Sequence, residues 1–218
     1  MSLRAVRLRS ATGLFTVYAT VTLILVLMLG VALALAVRHE AERRGLAEGR
    51  SEALLVAQTA VEHHLDGRLL SEGLSPDHLA ELETLTRRAV GEGTLLRLRI
   101  RDLNGTVVFA DDGSGGRSAI DDEVVRATNG EIVALITRLN TDVNDEGPVG
   151  AEAVEVYAPL KAGDPMRQVG VLEVYLPYAP IADDISRGTN QLYLVLAGGL
   201  LLLYIALFLV SLSVTRRL

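Results

Sequence analysis

The stretch from Arg97 to Asp112, RLRIRDLNGTVVFADD, decides how this chain is read. Leu96, Leu98 and Ile100 alternate with Arg97, Arg99 and Arg101, the period of two that sends successive side chains to opposite faces of a strand. Asn104-Gly105 then supplies the positive φ angles of a tight turn, and Thr106 to Ala110 returns as the partner strand of a hairpin. Asp111 to Gly116, DDGSGG, is a loop by composition.

Working outward, Asp121 to Asn129 reads as a short helix closed by Gly130. Three strands follow, Glu131 to Leu139, Ala153 to Leu160 and Val169 to Leu176; Pro177 and Pro180 end the last one, and a helical stretch starts at Ile181. Upstream of the hairpin, Ser75 is an N-cap, Pro76 takes the first helical position and Asp77 the first turn. That helix turns Leu79, Leu82, Leu85 and Ala89 inward and stops at Gly91. Before it, Leu54, Ala57, Val61, Leu65 and Leu69 recur at helical spacing and predict a long stalk helix. Gly45 and Gly49 weaken that helix by about 1 kcal/mol each, and a kink is expected there. The element order predicts an α+β fold: one antiparallel sheet of about five strands, with the Leu54/Val61 stripe of the stalk covering its apolar face.

Two uncharged runs flank this region. Ala11 to Val37, as a helix of about 40 Å, exceeds the hydrocarbon thickness of a bilayer, and Leu192 to Val214 is a second span. Arg4, Arg7 and Arg9 before an Ala34-Leu35-Ala36 site also suit a signal peptide, but the apolar run is nearly twice the length of such a core, which favours an uncleaved anchor. The net charge of −6 averages unlike parts: all 27 acidic residues lie between Arg38 and Arg187, while the tips carry only arginines. Arginine at both ends places both termini in the cytoplasm. The expected organisation is a cytoplasmic tip at 1–10, membrane helices at 11–37 and 191–214, an extracytoplasmic domain at 38–190 and the start of a cytoplasmic region at 215–218. Gly30 and Ala34 form a small-xxx-small pair that would let two first helices approach closely, a pattern that alanine-rich spans also produce by chance.

Cysteine is absent, which excludes disulfide frameworks, thiolate metal sites and thiol enzymes. The acidic middle argues against nucleic acid as a partner.

The strand-turn-strand RLRIRDLNGTVVFADD, the paired strands VEVYAPL and VGVLEVYLPY, and the flanking apolar helices together resemble the extracytoplasmic PAS-like sensor domains, called Cache or PDC, of bacterial transmembrane receptors. The likeness spans the whole chain and rests on element order and the D-x-N-G hairpin rather than on a catalytic motif. It implies a homodimer that senses a small molecule outside and drives a cytoplasmic output domain through the second membrane helix. The ending LAGGLLLLYIALFLVSLSVTRRL further resembles actinobacterial receptors that continue into cyclic-di-GMP synthase or phosphodiesterase domains (GGDEF/EAL), with histidine kinases as the next candidate. On this reading no output domain is present here, so either the sequence is a fragment or the receptor lacks its usual output, and the present chain is not an enzyme. The alternative is a membrane-anchored interaction or assembly protein with no small-molecule ligand.

Strand alternation places Arg97, Arg99 and Arg101 on one face, with Glu155 and Tyr157 sharing a face of their strand and Glu173 and Tyr175 sharing one of theirs. Two readings are open. The face is either solvated, with cross-strand Arg–Glu pairs worth about 0.2 to 1 kcal/mol each, or it lines a ligand cavity. In the second, Arg97 and Arg99 form a fork for the carboxylate of an anionic ligand, and Tyr157 and Tyr175 close its sides.

The other motifs carry less. Asp142 to Gly147, DVNDEG, resembles the opening of a calcium loop but has Glu146 at position five and Ala153 where a bidentate Glu is needed, so it reads as a polar surface loop. His39, His63, His64 and His78 lack metal-ligand spacing. Gly113 to Gly116 lacks the lysine and helix of a phosphate loop, and there is no nucleophile elbow. Neither a metal nor a cofactor is expected.

Overall fold

The computed structural model describes residues 3–113, 115–116, 121–141 and 149–217, so the calcium-like loop at Asp142 to Gly147 lies outside the described residues. The fold is α+β. It divides into two compact units, Glu42–Ala182 and the paired segments Met1–Ala41 and Asp183–Leu218.

The elements are α1 (Leu3–Val56), α2 (Pro76–Gly91), β1 (Arg97–Arg101), β2 (Val107–Ala110), α3 (Asp122–Thr128), β3 (Val133–Arg138), β4 (Glu152–Ala162), β5 (Arg167–Pro177) and α4 (Ala179–Arg217). The five strands form one antiparallel sheet in the order β2-β1-β5-β4-β3. Helix α2 begins as its sequence dictates: the Ser75 hydroxyl accepts the His78 N–H at 3.3 Å ahead of Pro76.

The β1–β2 hairpin closes differently from a two-residue turn. Gly105 alone of the Asn-Gly pair has positive φ, +82°, and the ladder shifts register between Ile100 and Arg101. The Asp102 carboxylate holds the turn by accepting the Asn104 N–H at 2.9 Å and the Thr106 N–H at 2.8 Å. The result is a bulged loop fixed by an Asx side chain.

One sheet face is apolar. Leu98, Ile100, Val154, Val156, Ala158, Leu160, Leu172, Val174 and Leu176 are buried with Ala53, Ala57 and Val61 of the N-terminal helical segment and Leu82 of α2. Leu85, expected inward, is instead 40 % exposed.

The stalk departs from expectation in two places. After Val56 it widens into a π-helical turn at Ala57–Val61, tightens to a 3-10 turn at Glu62–His64 and becomes extended at Leu65, so Leu65 and Leu69 do not continue the helical stripe. Its end is pinned from outside, because Glu62 accepts the Lys161 N–H from β4 at 2.7 Å. Gly45 and Gly49 do not kink it either, since α1 runs unbroken through both. A Cβ on Gly45 would stand 2.7 Å from Ile181 Cδ1 and one on Gly49 2.8 Å from Val154 Cγ1, so these glycines serve close packing.

In the other unit, the helices bearing Thr20 and Ala206 each contain a stretch long and apolar enough to cross a membrane. Met28, Leu29, Leu194 and Leu202 are all more than half exposed, a surface suited to lipid rather than water. Gly30 packs within the chain: a Cβ there would lie 2.9 Å from Leu196 Cδ1.

Candidate functional site

The opposite face of the sheet carries the candidate site. Register sets Arg97 beside Tyr175 and Tyr175 beside Glu155; in the next row Arg99 lies beside Glu173 and Glu173 beside Tyr157. All four residues proposed from sequence, Arg97, Arg99, Tyr157 and Tyr175, are thereby on one surface. That surface is not solvated. Arg99 is 4 % exposed, Tyr175 1 % and Glu173 0 %, and all five residues of β1 are buried. The reading of a solvated arginine face fails because this side of the sheet is covered too. Part of the cover is α3, whose Val124 and Ala127 pack with Val133, Tyr157 and Val171.

Hydrogen bonds and ion pairs link the buried polar groups to one another, with Arg99 Nε the atom of this cluster left without an acceptor among the described residues. Arg99 Nη1 donates to Glu173 Oε1 at 3.2 Å and Arg101 Nε to Glu173 Oε2, so Glu173 carries two guanidinium groups. Arg101 Nη1 also donates to the Gly105 carbonyl at 3.1 Å. The Tyr157 and Tyr175 hydroxyls both lie against Glu155 Oε1, at 2.6 and 2.7 Å, and Tyr175 is also 3.1 Å from Glu173 Oε1. The Arg97 guanidinium sits 5.9 Å from the centre of the Tyr175 ring. Beyond β2, Asp112 Oδ2 meets Arg97 Nε at 3.2 Å and Arg99 Nη2 at 2.9 Å. Burial works against the charge of Arg101, but the Glu173 carboxylate beside it prevails and leaves that guanidinium raised above its ordinary value.

The sequence puts Glu155 and Glu173 on the faces of Tyr157 and Tyr175 without marking them as part of the site, and sets Asp112 in a loop. The Glu-x-Tyr repeats at 155–157 and 173–175 were the available signal for the first two. Nothing local announces Asp112, whose partners lie across the hairpin.

No protein-family model and no curated protein matches the chain. Among solved structures it is similar to the sensor domain of Escherichia coli DcuS, with a TM-score of 0.43 and 18 % identity over 69 % of this chain and 98 % of that one. It is also similar to a domain of a sensory box/GGDEF family protein from Vibrio parahaemolyticus, with a TM-score of 0.43 and 15 % identity over 66 % of this chain and 57 % of that one. A third is the sensor domain of the V. cholerae histidine kinase DctB, with a TM-score of 0.40 and 11 % identity over 69 % of this chain and 58 % of that one. The chain thus spans less than two thirds of the length of the last two.

Elsewhere in the same unit, a cavity of about 290 Å³ is lined by Gly45, Glu48, Gly49, Glu52, Leu176 and Ile181 among others. Burial, and after it the charge of Glu48, pushes the Glu52 carboxyl above its usual range. His64 Nδ1 lies 2.7 Å from Glu81 Oε2, tying the end of the stalk to α2. Among the described residues no group of three or more His, Asp or Glu is placed to hold a metal ion.

Proposed function

We propose that the region 38–190 is an extracytoplasmic sensor domain that binds a small, anionic organic ligand on the Arg97/Arg99/Tyr157/Tyr175 face. The observation that carries this reading is the composition of that buried face. A sheet that served only as scaffold would gain from an apolar second side: burying ion pairs costs several kcal/mol per ion in desolvation, and apolar replacements of such groups are often neutral or stabilising by about 1 to 4 kcal/mol. Three arginines, two glutamates and two tyrosine hydroxyls are nonetheless gathered there. Such clusters of buried ionisable groups concentrate at functional sites.

On this reading both termini are cytoplasmic, the receptor is a homodimer, and α4 passes the signal to a cytoplasmic output domain, with cyclic-di-GMP turnover favoured over a histidine kinase. The chain itself performs no catalysis. Ligand binding shifts the balance between two arrangements only by its differential affinity for them, typically about 1 to 3 kcal/mol of coupling.

The test is a thermal-shift screen of the full chain in detergent micelles against carboxylates, amino acids and amines. A ligand at 100 times its Kd stabilises by about 2.7 kcal/mol, a rise of about 5 to 10 °C for a domain of this size. Arg97→Gln or Tyr175→Phe should abolish the shift of a hit. If no compound raises the melting temperature of the folded protein, the ligand-sensing reading gives way to a membrane-anchored interaction protein.

A further inference from the structure

Glu173 and Asp112, two carboxylates that contact Arg99, differ in their standing. Glu173 lies on the central strand β5 with its side chain 0 % exposed, whereas the Asp112 side chain is 24 % exposed and sits two residues beyond the end of β2, the edge strand of the sheet. The Asp111 N–H, 3.2 Å from the Leu98 carbonyl, belongs to the residue before it; past that point the backbone turns away through a Gly113 N–H to Ala110 carbonyl bond of 3.4 Å. Asp112 is therefore held on the arginines from a turn at the sheet edge rather than from the sheet itself. Its Oδ2 touches both Arg97 and Arg99, whose side chains, 9 and 5 % exposed, are otherwise sealed.

We propose that Asp112 occupies the place that a carboxylate of the ligand takes on Arg97 and Arg99, so that binding exchanges one carboxylate for another. The proposal rests on the ligand-sensing reading and narrows its ligand class to small carboxylates. The exchange is chemically even: both guanidinium groups keep an anionic oxygen partner throughout, so neither is left as an uncompensated buried charge. The leaving carboxylate is more exposed than either arginine or Glu173, 24 % against 9, 5 and 0 %.

An internal occupant lowers apparent affinity by the fraction of time the arginines stand open. With Asp112 in place for 90 to 99 % of molecules, removing its charge tightens carboxylate binding by about 10- to 100-fold.

The experiment titrates the full chain in micelles with acetate, malonate, glutamate and benzoate by calorimetry, for the wild type, Asp112→Asn, Asp112→Ser and Asp112→Glu. Asp77→Asn, in the first turn of α2 and exposed, serves as the control carboxylate, and near-UV circular dichroism checks that each variant is folded. The expected result is tighter binding of at least one probe, by about tenfold or more, in Asp112→Asn or Asp112→Ser. Asp112→Glu, which restores an occupant, and Asp77→Asn should stay within about twofold of the wild type. Binding that is unchanged or weaker in the folded Asn and Ser variants overturns the exchange and leaves the sensing reading standing. Absence of binding by every probe to the wild type and to all variants overturns the exchange, and the sensing reading falls with it if the wider screen of amino acids and amines also finds no binder.

Discussion

Glu173 is the keystone of the buried face, and its replacement by alanine measures whether that face is interior. The side chain is 0 % exposed, accepts from Arg99 at 3.2 Å and from Arg101, and lies 3.1 Å from the Tyr175 hydroxyl. In Glu173→Ala, Arg99 retains Asp112, but Arg101 keeps only the Gly105 carbonyl among the acceptors described above. Removing one member of a buried pair typically costs about 3 to 5 kcal/mol, because a desolvated charge is left without its counterion. A solvated cross-strand pair would cost under about 1 kcal/mol. At about 2 to 4 °C per kcal/mol, the melting temperature should fall by about 6 to 20 °C, comparable with Leu98→Ala on the apolar face, for which about 2 to 5 kcal/mol is expected. The assay is thermal unfolding of the full chain in micelles by near-UV circular dichroism. The chain has no tryptophan, and Tyr157, Tyr175 and Tyr178 are buried in the domain, so they report its packing. Replacing Arg99, Arg101 and Glu173 together by Leu should recover most of the loss, since no charge is then stranded. A fall of less than about 2 °C in Glu173→Ala, beside a large one in Leu98→Ala, would mean that water reaches the arginine face, and the argument from buried charge would collapse.

Gly170→Ala should destabilise by about 1 to 3 kcal/mol or more in the same assay, because a Cβ there would lie 2.3 Å from Leu70 Cδ1 and 2.4 Å from the Arg101 carbonyl oxygen, the latter a backbone atom that cannot rotate away. A wild-type melting point would show that Leu70 does not lie over β5. Glu52 has a folded-state pKa raised by burial and by Glu48, so the stability it lends is full below the ordinary glutamate value near 4.3 and is lost as pH rises through the raised value. Relative to Glu52→Gln, the wild type should therefore lose melting temperature as pH climbs from about 4 to neutrality, and parallel curves for the two proteins would contradict it. A cysteine replacing exposed Ser71 should react with an impermeant thiol reagent in whole cells while one replacing Ser2 should not; the reverse pattern would invert the proposed topology.

The parts of this protein legible in its sequence are those in which the information is local. The alternation in Arg97 to Arg101 determines which side chains share a face, because the pleat has a period of two whatever surrounds it. Ser75-Pro76 starts α2, since capping is a contact between neighbours in the chain, and the apolar runs mark themselves by composition and length alone. Local information stopped at what each face meets. The period of two separates the arginines from the leucines without saying that both sides are buried; that depends on the helices packed over each face, and the partner Glu173 reaches Arg99 from 74 residues away. The same holds for the stalk: helical spacing continues through Leu65 and Leu69, but Glu62 is bound to the backbone of β4, and that contact belongs to the tertiary fold. Gly45 and Gly49 are weak helix formers in any chain; only the approach of Ile181 and Val154 turns the missing side chains into packing surface. Asp112 is the extreme case, an acidic residue in a glycine-rich loop whose role is set by two guanidinium groups that the folded sheet brings to it.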